Sequence, residues 1–164
     1  MQPDLVTSFA RDRDETLVRL DSVPRPAPVS TDPSVIADEG RAMLVYRIAP
    51  SEPHRYNSLA RNEAPFCLVR FDAAVFQSLG PANNEEVSRH VLHAKGLCCS
   101  GAYEVLYSTL VAEWWPNAPR AIALRHFIIT FEDSSFECVA SDCRLAGIYR
   151  AADIACREAF HQLR

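Results

Sequence analysis

Three polar residues stand out for the chemistry their types support: His126, Thr130 and Glu137, all within the run His126-Phe-Ile-Ile-Thr-Phe-Glu-Asp-Ser-Ser-Phe-Glu137. An imidazole beside a carboxylate is general acid/base machinery, and a nearby hydroxyl adds a ligand contact. In that reading Glu137 is the base and His126 its partner or an acid. The bland alternative is a solvent-facing sheet surface, where Glu and Thr are ordinary. Ile128 and Val139 make the face only half polar, which suits a surface that lines a cleft or lies under another element. Tyr103, Tyr107 and Trp115 are candidate walls of that cleft, offering hydroxyls and aromatic surface to a small ligand. For the tyrosines, strand propensity is the competing explanation.

Other reactive types carry less. His90 and His93 stand three apart at a spacing compatible with metal binding, but zinc needs two further ligands from elsewhere in the fold. Neither a metal nor a cofactor is expected. The six cysteines (Cys67, Cys98, Cys99, Cys138, Cys143 and Cys156) read best as free thiols, because no secretion signal is visible and the chain is rich enough in hydrophobic residues to build a core. There is no glycine-rich phosphate loop, G-x-S-x-G or H-E-x-x-H, and only five glycines are present.

Alternating apolar residues position the first group. A hairpin over 124–141, turning at Asp133-Ser134, places Phe127, Ile129, Phe131, Phe136, Cys138 and Ala140 on one apolar face. Its other face carries His126, Thr130 and Glu137, with Thr130 and Glu137 as cross-strand partners and Phe131 opposite Phe136. A loop of even length preserves this facing. Strands are also expected at Ala42–Ile48, Phe66–Phe71 and Tyr103–Thr109, with a helical turn or irregular stretch at Ala73–Leu79. A helix should run from the Asn83-Asn84-Glu85-Glu86 start to Lys95, capped by Gly96, and residues 110–115 have helical character. Leu145, Ile148, Tyr149, Ala152, Cys156, Phe160 and Leu163 fall at helical spacing and predict a terminal amphipathic helix covering a sheet.

Residues 1–40 hold five of the eleven prolines, among them Pro24-Arg-Pro-Ala-Pro28. They read as an arm containing one short helix over Phe9–Leu20, with a single domain following over 41–164. The expected fold is α+β: a curled antiparallel sheet of four to six strands with the C-terminal helix packed on it. A mostly-β half-barrel with helices at its rim is the alternative.

Three stretches together resemble a group of small bacterial proteins of uncharacterised function. They are Asn83-Asn84-Glu85 with His93-Ala-Lys95-Gly-Leu97, Tyr103-Glu-Val-Leu-Tyr-Ser-Thr109, and His126-Phe-Ile-Ile-Thr-Phe-Glu-Asp-Ser-Ser-Phe-Glu-Cys138. The resemblance covers less than half the chain and excludes the arm and the terminal helix. It implies that the hairpin is a unit and implies no activity.

The 164 residues are 48% hydrophobic and 23% charged with net charge −4, which suits one globular domain. That charge gives no electrostatic case for nucleic acid or an anionic membrane, and no apolar run reaches membrane-spanning length. A cytoplasmic location is expected, and a homo-oligomer is compatible with the sequence. Two functions fit: a small-molecule-binding domain, in its stronger form an accessory or tailoring enzyme with a carboxylate acid/base, or a noncatalytic interaction module using the arm or an exposed tryptophan.

Overall fold

The computed structural model describes residues 15–29, 33–52, 65–80, 84–119 and 122–164. Among the described residues nine strands lie in two antiparallel sheets. The first is ordered β1 (Thr16–Arg19), β6 (Ala102–Leu106), β7 (Arg125–Thr130), β8 (Ser135–Ala140) and β5 (Phe76–Gly80). The second runs β2 (Ser34–Ala37), β3 (Arg41–Arg47), β4 (Phe66–Asp72) and β9 (Asp142–Tyr149). The described residues also form α1 (Asn84–Arg89), α2 (Thr109–Trp114) and α3 (Ala152–Leu163). The architecture is α+β with the C-terminal helix packed on a sheet, as expected, but the strands are shared between two sheets rather than one.

Alternation along the strands builds the core. Phe127, Ile129, Phe136, Cys138 and Ala140 meet Leu44, Tyr46, Cys67, Val69 and Phe71 between the sheets, all buried. On the outside of the second sheet Met43, Val45 and Leu68 lie beneath Ala155 and Ala159 of α3, whose small side chains let the helix approach closely. On the outside of the first sheet Tyr103, Val105 and Ile128 lie beneath Val87, Leu92 and Leu97. Both faces of each sheet thus bury apolar strand residues.

Several expectations are corrected. The hairpin faces are as expected, but the pairing is Ile129 with Phe136 and Phe127 with Cys138, so Phe131 does not face Phe136. The loop is four residues long, closed by the Phe131 amide donating to the Ser134 carbonyl at 2.8 Å. Phe131 lies in the loop, and its ring packs edge-on against Tyr46 of the other sheet, centroids 5.5 Å apart. The terminal helix starts at Ala152. Residues 142–149 form a strand paired with β4, with an irregularity at Leu68/Val69 and Gly147 where an added Cβ would lie 2.5 Å from the Tyr149 hydroxyl. Ala73–Leu79 is not helical, since Phe76–Gly80 is an edge strand on β8.

The helix expected to reach Lys95 ends at Arg89. The Leu92 amide donates to the ring Nδ1 of His90 at 3.1 Å, which takes that donor out of any helical ladder, and Gly96 at φ 104° closes a separate short turn over His93–Lys95. Asn83 lies outside the described residues. The strand expected to reach Thr109 stops at Leu106, because Tyr107 adopts a left-handed φ of 57°.

Two segments ahead of residue 41 join the sheets. Residues 16–19 are strand rather than helix and pair with β6, and residues 34–37 pair with β3; Phe9 lies outside the described residues. Between them the proline segment is strapped down. The Tyr46 hydroxyl donates to the Pro24 carbonyl at 2.6 Å, and the Ala27 amide donates to the Arg47 carbonyl at 2.9 Å. Prolines at alternate positions leave the intervening amides free to pair.

All six cysteines are free thiols. Burial pushes the Cys67 and Cys138 thiols up from 9.0 to about 12. The folded chain therefore holds these protons more tightly than the unfolded chain does. Their contribution to stability is complete below pH 9 and is lost as pH climbs toward 12. Each should remove about 1.4 kcal/mol per pH unit across that window. Urea unfolding from pH 7 to 11 checks this, with Cys138→Ala expected to give a shallower alkaline decline; a flat profile above pH 9 would contradict it.

Candidate functional site

The Ser108–His126–Glu137 site is built where β6 turns into α2 beside β7 and β8. Tyr107 in the left-handed region ends the strand, and Ser108 follows as the N-cap of α2, accepting from the Val111 amide at 3.3 Å. The turn is fixed from the other side by Glu15, whose Oε1 accepts from the Thr109 amide at 2.6 Å and the Thr109 hydroxyl at 2.8 Å. This places the Ser108 Oγ 2.8 Å from His126 Nδ1. On the far side of the ring, Nε2 lies 2.6 Å from Glu137 Oε1.

The two-residue shift in hairpin pairing makes this contact. Glu137 pairs with Ile128 rather than Thr130, and its carboxylate reaches diagonally to His126, which pairs with Val139. An ionised carboxylate can only accept, so Nε2 carries the proton. In the neutral ring Nδ1 is then the acceptor, and the Ser108 hydroxyl is its donor. The result is a directed chain, Ser108 to His126 to Glu137. Ser108 and His126 are buried at 7% and 4% exposure, while the Glu137 side chain is one-third exposed.

Ser108 and His126 line an open cleft of about 440 Å³. Its apolar wall is Val105, Leu106, Val111, Ala112 and Leu124, with Tyr107 at 78% exposure on its margin. Arg125 and Glu104 also line it but satisfy each other through two contacts of 2.8 and 2.7 Å. Glu137 lines a separate pocket of about 40 Å³ together with Glu86, His90, Thr130 and Ser135. The two ends of the chain therefore open at different places.

Of the expected site residues, His126 and Glu137 are brought together and Tyr107 joins His126 at the cleft. Thr130 is fully buried and structural: its Oγ1 accepts from the Gly101 amide at 3.0 Å and donates to the Cys98 carbonyl at 2.6 Å. Tyr103 is buried beneath Leu92 and Leu97, with its hydroxyl 2.8 Å from the Cys98 sulfur, and burial first and Cys98 second push it up to about 12. Trp115 stacks with Phe76 and Trp114 at 6.5 and 6.0 Å and is not a cleft residue. His90 and His93 each engage local backbone through Nδ1, and no group of three metal-ligating side chains occurs among the described residues. Strand periodicity placed Ser108 on the third strand as a ligand-binding hydroxyl and missed both its cap position and its contact with His126. The available signal was a serine directly before Thr-Leu-Val-Ala-Glu-Trp, an N-cap ahead of a helix.

Fold and site together define an antiparallel two-sheet α+β domain with a serine–histidine–carboxylate chain, its serine and histidine buried, at a cleft. No family model, curated protein or solved structure matches the chain. Among the described residues no helix is long and apolar enough to cross a membrane.

Proposed function

We propose that this protein is a small-molecule-binding enzyme acting from the 440 Å³ cleft, with Ser108 as nucleophile, His126 as general base and Glu137 holding the imidazole. The observation that carries the reading is the pair of contacts on one buried ring, 2.8 Å to a hydroxyl at the cleft and 2.6 Å to a carboxylate beyond it. Glu137 thus becomes the group that orients the base rather than the base itself. An ester with an apolar acyl group suits the Val105, Leu106, Val111 and Leu124 wall.

In the reaction, the Ser108 Oγ bonds to the acyl carbon as its proton passes to His126 Nδ1. The imidazolium returns that proton to the departing alcohol oxygen as the carbon–oxygen bond breaks. Water then attacks the acyl-serine, with His126 taking and returning a proton in the same way, releasing the acid and restoring Ser108. Glu137 stabilises the transient imidazolium throughout. Three deeply buried thiols and no disulfide support a reducing, cytoplasmic setting for this chemistry.

A fluorophosphonate probe tests the assignment, because it bonds only to an activated hydroxyl. The native protein should gain one adduct by mass spectrometry, mapped to Ser108, and Ser108→Ala should gain none while keeping its circular dichroism spectrum. An unlabelled native protein, or equal labelling of Ser108→Ala, overturns the enzyme. That result favours the interaction-module reading, for which Tyr107 and Trp114, at 78% and 60% exposure, are the contact candidates.

A further inference from the structure

A second cleft of about 440 Å³ lies at the opposite end of β6, between the proline strap and the turns at 49–51 and 99–100. We propose that it binds the carboxylate or phosphate group of a small molecule, independently of the Ser108 site. Two guanidinium groups line it, Arg19 and Arg25, together with Ser51 and Ser100.

The two arginines differ in a way that defines a receptor. Arg25 is held in place: its Nε donates to Glu52 Oε1 at 2.7 Å and its Nη2 to Ser51 Oγ at 3.3 Å. Glu52 is only 1% exposed, so this pair is a fixed anchor with its charge balanced. The Arg25 carbonyl also accepts from the Ala49 amide at 2.8 Å, tying the two walls together. Arg19 sits opposite Tyr103 on the edge strand β1 and makes no hydrogen bond or ion pair among the described residues. Among the described residues no carboxylate is paired with it at the cleft.

A guanidinium presents a planar fork of donors that matches two oxygens of a carboxylate or phosphate, and a preset second arginine lowers the ordering cost of binding. Pro26, Pro28 and Pro50 stiffen the walls. The volume falls within the range of small-ligand sites. One opposing charge is present: Glu132 is felt at the Cys99 thiol, which burial first, then Cys98 and Glu132, push up. The anion accordingly belongs at the Arg19/Arg25 side, away from Cys99.

Isothermal titration with inorganic phosphate and with succinate, at constant ionic strength in chloride, tests the site. At least one probe should bind saturably to the native protein, and their relative affinity distinguishes a phosphate from a carboxylate ligand. Arg19→Gln should weaken binding at least tenfold. Arg157→Gln, which changes net charge equally at an exposed pair with Asp153, should leave it unchanged. Absence of saturable binding by both probes, or equal weakening by the two variants, overturns the proposal. Because neither outcome involves Ser108, failure here leaves the cleft chemistry standing, and the converse holds.

Discussion

His126→Gln should lower the rate of fluorophosphonate labelling at Ser108 by a factor on the order of 10³–10⁴, the loss expected when a hydroxyl nucleophile is deprived of its base. Glutamine is chosen because its amide can accept from Ser108 and donate to Glu137, preserving both contacts in kind while being unable to take up a proton. His126 is 4% exposed, so an alanine there would leave a cavity and two buried polar groups unpaired, confusing stability with chemistry. The measurement is labelling rate by mass spectrometry alongside a urea unfolding curve. Slow labelling with a near-native unfolding midpoint assigns His126 a proton-handling role. Labelling within a few-fold of native would make the Ser108–His126–Glu137 chain a structural clasp joining the α2 turn to the hairpin.

The second large effect is on stability. Phe71 is fully buried and its ring meets both Phe127 and Phe136, at centroid distances of 5.7 and 5.3 Å, across the gap between the sheets. Phe71→Ala removes the ring that both hairpin strands pack on and should cost about 3–5 kcal/mol, a large share of the 5–15 kcal/mol typical of a domain. Phe71→Leu retains most of the volume and should cost less than half as much. Urea midpoints at constant slope measure both. A loss below about 1 kcal/mol for Phe71→Ala would mean that the sheets close over the gap and that the inter-sheet core is not the main support of the hairpin.

Comparison of particular residues separates what local pattern dictates from what it leaves open. A strand turns each successive side chain to the opposite face, so the alternation of Phe127, Ile129, Phe136 and Cys138 could yield only one inward face. The same logic separates Cys67, Val69 and Phe71 from Leu68, and the structure puts the first three between the sheets and Leu68 on the α3 side. Gly96 does take the left-handed φ of 104° expected of a capping glycine, but it closes the short turn over His93–Lys95, because the helix has already ended at Arg89. Leu145, Ile148 and Tyr149 show where pattern is ambiguous: they fit a helical stripe, yet pairing with Phe66, Cys67 and Val69 on β4 makes them strand. Short apolar runs cannot announce which partner will be beside them.

By itself, then, the sequence determined the fold class, the inward face of the hairpin, and the candidacy of His126 and Glu137. Those properties follow from local periodicity and side-chain chemistry. Only the tertiary structure decided that the strands divide into two sheets, that residues 16–19 and 34–37 join them, and that Phe131 is drawn out to Tyr46. The hairpin register decided the site. A shift of two residues leaves every facing unchanged and so is invisible to alternation, but it moves Glu137 away from Thr130 and onto His126. Ser108 arrives from an element 18 residues away along the chain, which no local pattern encodes.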